Sequence, residues 1–249
     1  MTEASNVPAF PRWWSRAIQI GAVIAIVMLL LGPLGTKFGI WPFTIGLMMM
    51  AGSAILAAVG FIGGFWGYMV ARSKGYAADK PLCGIGALLS AVVLGVFGSQ
   101  YLAATSVPSI HNISTDINDP PIFSAVPALR GEGTNPLDYD ATKLGPLQSA
   151  AYPDLKPMET GLGRSEALTR AVSVLAEMGL EIVTADPQGR IVEATYTSFW
   201  FGFKDDLVVR IRPNGSGSLV DVRSVSRVGQ SDLGANAKRI SEFLGRFAS

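Results

Sequence analysis

The densest run of directional polar groups in this chain is Arg223-Ser-Val-Ser-Arg227-Val-Gly229-Gln-Ser231-Asp232-Leu-Gly234-Ala-Asn236-Ala-Lys238-Arg239-Ile240. A guanidinium presents a planar fork that matches a carboxylate or phosphate in bidentate fashion. Arg223, Arg227 and Arg239 could therefore converge on an anion, with Ser231, Asp232 and Asn236 as further contacts. The same arginines could instead pair with Asp116, Asp119 or Asp232 and pin the preceding chain onto the domain. Gly229 and Gly234 permit tight turns. Ser231 or Asp232 can cap a following helix, where a carboxylate also suits the positive helix end.

Other reactive residue types are sparse. His111 is the single histidine, so a Ser-His or Cys-His mechanism would have to use it. A hydrolase would draw on Asp116, Asp119 or His111, but no Gly-x-Ser-x-Gly elbow accompanies them. The spacing of these three residues matches no metal-ligand pattern, and no metal or cofactor is expected. Asp205 and Asp206 are adjacent, and neighbours on a strand point to opposite faces, so they read as edge or turn charges. Gly161-Leu-Gly163 has no strand before it and lacks the third glycine of a phosphate loop. Phe199-Trp-Phe-Gly-Phe203 reads either as aromatic core on a strand with a bulge at Gly202, or as exposed rings for a membrane surface or apolar ligand. The single cysteine, Cys83, allows neither an intramolecular disulfide nor a cysteine-based zinc site.

The elements that must position these groups fall into two regions. Of 249 residues, 49% are hydrophobic and 16% charged, with net charge +1 and mean hydropathy +0.36. This balance gives no basic surface for nucleic acid. The apolar residues concentrate before residue 105, in blocks at about 17–34, 42–70 and 82–104. Each is long enough for a spanning helix and nearly free of charge, which hydrocarbon penalises. No small-residue cleavage pattern follows the first block, so it reads as a retained helix rather than a signal peptide. No ionisable group lies deep in a span, which disfavours a proton relay, channel or coupled transporter.

One side of the membrane would hold Arg12, Arg16, Arg72, Lys74 and Lys80, and the other Lys37 alone. The positive-inside rule then predicts a cytoplasmic N-terminus and a C-terminal domain across the membrane. In a bacterium this means an inner-membrane protein with a periplasmic domain. Gly60, Gly63, Gly64, Gly67, Gly84 and Gly86 give small-residue faces, either for packing among the three helices or for homo-oligomers.

Residues 105–163 are proline-rich and read as a tether. Its first part, Ser109–Phe123, has isoleucine and phenylalanine anchors and is predicted to dock, whereas 132–156 looks looser. Residues 164–249 read as a small α+β domain: a helix capped by Ser165, a four-stranded antiparallel meander and a final helix at about 234–247. Alternation of Leu207, Val209 and Ile211 with polar neighbours marks one strand, and Ile240, Phe243, Leu244 and Phe247 mark the last helix.

Three motifs carry a resemblance: Ser114-Thr-Asp116 with Asp119-Pro-Pro-Ile-Phe123, Phe203-Lys-Asp-Asp206-Leu-Val-Val-Arg-Ile211, and the run Arg223–Ile240. Across roughly residues 108–247 the chain resembles the family called domain of unknown function 1499, which implies an envelope or plastid setting but no assigned reaction. The three preceding spans depart from the single anchor or lipoprotein signal of many members. The favoured expectation is a periplasmic binding or interaction domain for an envelope protein, lipid or anionic small molecule. The alternatives are an envelope hydrolase and a structural subunit of a membrane complex.

Overall fold

The computed structural model describes residues 10–249, which divide into two compact units. The first carries α1 (Trp13–Lys37), α2 (Phe43–Ser73) and α3 (Asp79–Thr105). These are the three helices among the described residues that are long and apolar enough to cross a membrane. Between such helices the hydrophobic effect gives little attraction, so close backbone approach matters most. Gly64 supplies it: a Cβ there would lie 2.8 Å from the amide nitrogen of Ala87 and 2.9 Å from the carbonyl of Cys83. Gly46 similarly meets Gly32 across α1 and α2, and Gly86 meets Ile18. Ala25, Ala57 and Val93 fill a small central core, and Ser53 Oγ donates to the carbonyl of Ala25 at 2.6 Å.

A polar clasp joins the starts of α1 and α3. The buried Asp79 carboxylate accepts from the Arg12 amide at 2.7 Å, the Arg12 guanidinium at 2.9 Å and Ser15 Oγ at 2.6 Å. The Arg12 guanidinium also stacks over the Tyr76 ring.

The second unit comprises Ala103–Phe199 and Phe203–Ser249. Its sheet has six strands rather than the expected four: β1 (Asn112–Ser114), β2 (Met158–Thr160), β3 (Glu181–Asp186), β4 (Ile191–Thr197), β5 (Lys204–Asn214) and β6 (Gly217–Ser226). Strands β3 to β6 form the antiparallel meander, in the order β6-β5-β4-β3. The two additional strands come from the proline-rich segment, and both pair antiparallel with β6. Each is only three residues long, too short for alternation to be visible in sequence.

The segment 105–163 also contains α4 (Ala141–Ala151), although Gly145 and Pro146 lie inside it. Asp140 caps it, accepting from the Lys143 amide at 3.2 Å. Gln148 on α4 completes the outer edge of β1, where its side-chain amide accepts from Ser114 N at 3.0 Å and donates to Ser114 O at 2.6 Å.

Helices α5 (Arg164–Glu177) and α6 (Ala235–Ala248) cover one face of the sheet. There Val192, Leu207, Val209, Val220 and Val222 pack against Leu175, Ile240 and Phe243. Ser165 lies within α5 rather than capping it, and its hydroxyl accepts from Arg190 at 3.1 Å. Gly163 precedes the first turn instead, with its amide held by Glu166 at 3.2 Å.

The opposite face is covered by the chain from about 115 to 139, which includes a short 3-10 helix, Val126–Leu129. Phe123 and Val126 of this strap pack on Val208 and Val225. Glu193 anchors it, accepting from the amides of Ser124, Ala125 and Val126 at 2.6–3.1 Å. Phe199 and Trp200 are not strand core. They sit in the β4–β5 turn with relative exposures of 66% and 50%.

Candidate functional site

The run Arg223–Ile240 forms the end of β6, a loop and the start of α6. Alternation along β6 sends Arg223 and Val225 to the strap face and Ser224 and Ser226 to the helix face; Arg227 follows on the strap side, whereas Arg239 of α6 lies on the helix side. Arg223 is buried beneath the strap. Its Nε donates to Asn112 Oδ1 at 3.0 Å, and its other nitrogens donate to the carbonyls of Pro121, at 3.0 Å, and Leu137. The rings of Phe123 and Tyr139 flank it at 5.5 and 5.8 Å. Burial pulls this guanidinium down to about 10, against the opposing charge of Asp138, which still leaves it a cation at neutral pH.

Arg227 makes a bidentate pair with Asp206, at 2.8 and 2.9 Å. Arg130 from the strap reaches the same carboxylate at 2.6 Å, and Thr195 donates to it at 2.9 Å. Asp206 is fully buried. It is therefore a central counterion and not an edge charge. Asp205 points to the helix face and pairs with Arg239 at 2.9 Å. Arg239 also donates to Asn236 Oδ1 at 2.6 Å and lies over the Tyr196 ring at 4.3 Å.

Asp116 and Asp119 meet Arg210 and Arg212 rather than any arginine of the run. Arg212 binds Asp116 at 2.8 Å, Arg210 binds Asp119 at 3.0 Å, and both also hold the buried Asp221. Burial pushes the Asp116 carboxyl up, but the amides of Asp119 and Asn118 together with Arg212 outweigh this and hold it below its ordinary value. His111 lies elsewhere, at the C-terminal end of β6, where Ser226 N donates to its carbonyl at 3.0 Å. Its ring Nδ1 is 3.4 Å from the carbonyl of Gln230. Among the described residues, no group of three or more His, Cys, Asp or Glu side chains is arranged to hold a metal.

The structure brings together His111, Ser231, Asp232 and Asn236. The chain leaving α3, here called the stalk (107–111), is held against the β6–α6 loop by backbone and side-chain bonds. Asp232 N donates to Ile110 O at 3.1 Å. Asn236 Nδ2 donates to His111 O at 3.0 Å and to Ser226 Oγ at 2.9 Å, while its Oδ1 accepts from Ser224 Oγ at 2.7 Å.

Asp232 also starts α6, accepting from the amides of Gly234 at 2.8 Å and Asn236 at 3.0 Å. Burial raises its pKa, these two amides offset that only in part, and the nearby charge of Asp205 adds to the rise. Ser231 Oγ accepts from Leu233 N at 3.2 Å. The loop turns through left-handed conformations at Gly229 (φ 91°), Leu233 (φ 54°) and Gly234 (φ 80°). Glycine takes such angles freely, whereas leucine is strained there. The Leu233 side chain is nevertheless 46% exposed.

Glu193, Asp221 and Arg130 organise the strap face but do not stand out in the sequence. For Glu193 and Asp221 the signal is a charged residue at a strand position between apolar ones, which alone does not distinguish a solvated charge from a buried pair, and Arg130 lies in the strap just after the 3-10 helix.

No curated protein matches the chain. The model of the family described as "Protein of unknown function (DUF1499)" matches residues 112–247, from the start of β1 into α6. That is more than half of the sequence, and it covers the strap, the sheet and both covering helices while leaving out the three apolar helices. The chain therefore belongs to the DUF1499 family, with three helices long and apolar enough to cross a membrane placed before the family domain.

Proposed function

We propose that this is a polytopic inner-membrane protein with a cytoplasmic N-terminus, whose C-terminal domain acts in the periplasm as an interaction module for a protein of the cell envelope. The excess of Lys and Arg around Arg12, Arg16, Arg72, Lys74 and Lys80 over Lys37 supports the sidedness. The interaction reading rests on Leu233, an apolar side chain held outward in a strained loop that bonds below hold in place. Gln230 and Ser231 precede it in the same loop, where Ser231 Oγ accepts from the Leu233 amide and the His111 ring lies 3.4 Å from the Gln230 carbonyl. Backbone strain of this kind, kept in place by surrounding bonds, tends to mark binding and switch segments.

The anionic-ligand reading draws less support, because Arg227 and Arg239 already bind Asp206 and Asp205, and Arg223 binds Asn112 and carbonyls. A hydrolase would need His111 near Asp116 or Asp119, and those carboxylates are held by Arg210 and Arg212 instead.

A photo-crosslinking residue placed at Leu233 in native membranes tests the proposal, with Gln188 on the exposed β3–β4 turn as the control position. One discrete protein adduct from Leu233 and none from Gln188 is the expected result. Equal labelling at the two positions, or none at either, would overturn it. An adduct with a second copy of the chain would redirect the reading to self-association.

A further inference from the structure

We infer that the β6–α6 loop and the stalk open and close as one piece, so that the exposed surface at Gln230–Leu233 is coupled to the chain leaving α3. The bonds that fix the loop are the same bonds that fix the stalk. Ile110 O takes the Asp232 amide, and His111 O takes both the Ser226 amide and the Asn236 side chain. On the stalk these acceptors are all backbone carbonyls, so the motif supplies the specific donors. Packing adds to the bonding: a Cβ at Gly234 would lie 3.3 Å from Val107 Cγ1 and 3.5 Å from the Tyr152 hydroxyl. Tyr152 comes from the end of α4, and its buried hydroxyl has no hydrogen-bond partner.

Asn236 is the pivot. It is fully buried and contacts the stalk, β6 and Arg239 together. Removing its amide strips a donor from His111 O and an acceptor from Ser224 and Arg239, so loop and stalk should loosen together. Displacing the stalk should in turn release the Asp232 amide and allow Leu233 to leave its left-handed conformation. This linkage is a property of the bonds and holds whatever partner the loop meets.

The test is amide hydrogen exchange on the full chain in detergent micelles, with one perturbation on each side. Asn236→Ala is expected to speed exchange at the bonded amides of Ile110, Ser226 and Asp232 by tenfold or more, on the order of one lost side-chain bond. Val107→Ala, a stalk change with no bond to the loop, is expected to speed exchange at Asp232. Amides of β3, β4 and β5 should keep their protection in both. Confinement of each effect to the altered segment, or a uniform rise across the sheet, would overturn the coupling. If Asn236→Ala fails to fold, Val107→Ala decides alone. Because neither readout involves a partner, failure here leaves the crosslinking result at Leu233 standing.

Discussion

Asp206 pairs with two guanidiniums at once, Arg130 from the strap and Arg227 from the signature run, and its own side chain is fully buried. Removing one member of a buried pair leaves an uncompensated charge and costs about 3–5 kcal/mol. Asp206→Ala is therefore expected to lose stability of that order in denaturant unfolding. Glu242→Ala, which breaks the exposed pair with Arg246, should change stability by no more than about 0.5 kcal/mol.

Two other carboxylates have opposite pH signatures. Asp232 has a folded pKa above its ordinary value. Its contribution to stability is fully present below the ordinary aspartate value and is lost as pH rises through the raised one. Asp116 has a lowered pKa, so its contribution is present above the ordinary value and is lost as pH falls. In thermal melts from acid to neutral pH, Asp232→Asn should remove a loss seen on raising pH, and Asp116→Asn a loss seen on lowering it.

Only part of this residue chemistry was legible in the sequence. Asp232 as an acceptor for amides at the start of α6 follows from its place before an apolar-periodic segment, although the N-cap position itself falls on Gly234; the opposed directions of Asp205 and Asp206 follow from strand geometry. Their partners do not, because Arg130 and Arg239 reach them through tertiary contacts that no spacing encodes.

Among the elements, the strands with clear alternation, such as β5, were readable, as were the three apolar helices. Strands β1 and β2 were hidden by their length, and α4 by Gly145 and Pro146, whose breaking tendency is overridden by the Asp140 cap and by Gln148 docking on Ser114. Serving as the outer edge of the sheet, α4 and β1 make the supposed tether part of the fold.

In the helical unit, the glycines divide by what faces them. Gly64 touches the backbone of α3, whereas nothing lies within 4 Å of a Cβ at Gly95. Gly64→Val should force α2 and α3 apart at a cost of about 1–3 kcal/mol, seen as a lower melting temperature in micelles. Gly95→Ala should be neutral or slightly stabilising, since alanine is the better helix former.

The whole molecule joins three helices long and apolar enough to cross a membrane to a family domain whose signature run holds both the loop and the stalk. The sidedness proposed above requires the domain and the α2–α3 connection to face opposite sides of the membrane. The single cysteine, Cys83, is buried, so a Cys83→Ala background permits site-directed labelling in spheroplasts with a membrane-impermeant maleimide. Gln188→Cys on the exposed β3–β4 turn is expected to label from outside, and Lys74→Cys after α2 only once the membrane is lysed. Labelling of Lys74→Cys from outside, with Gln188→Cys protected until lysis, would reverse the proposed sidedness.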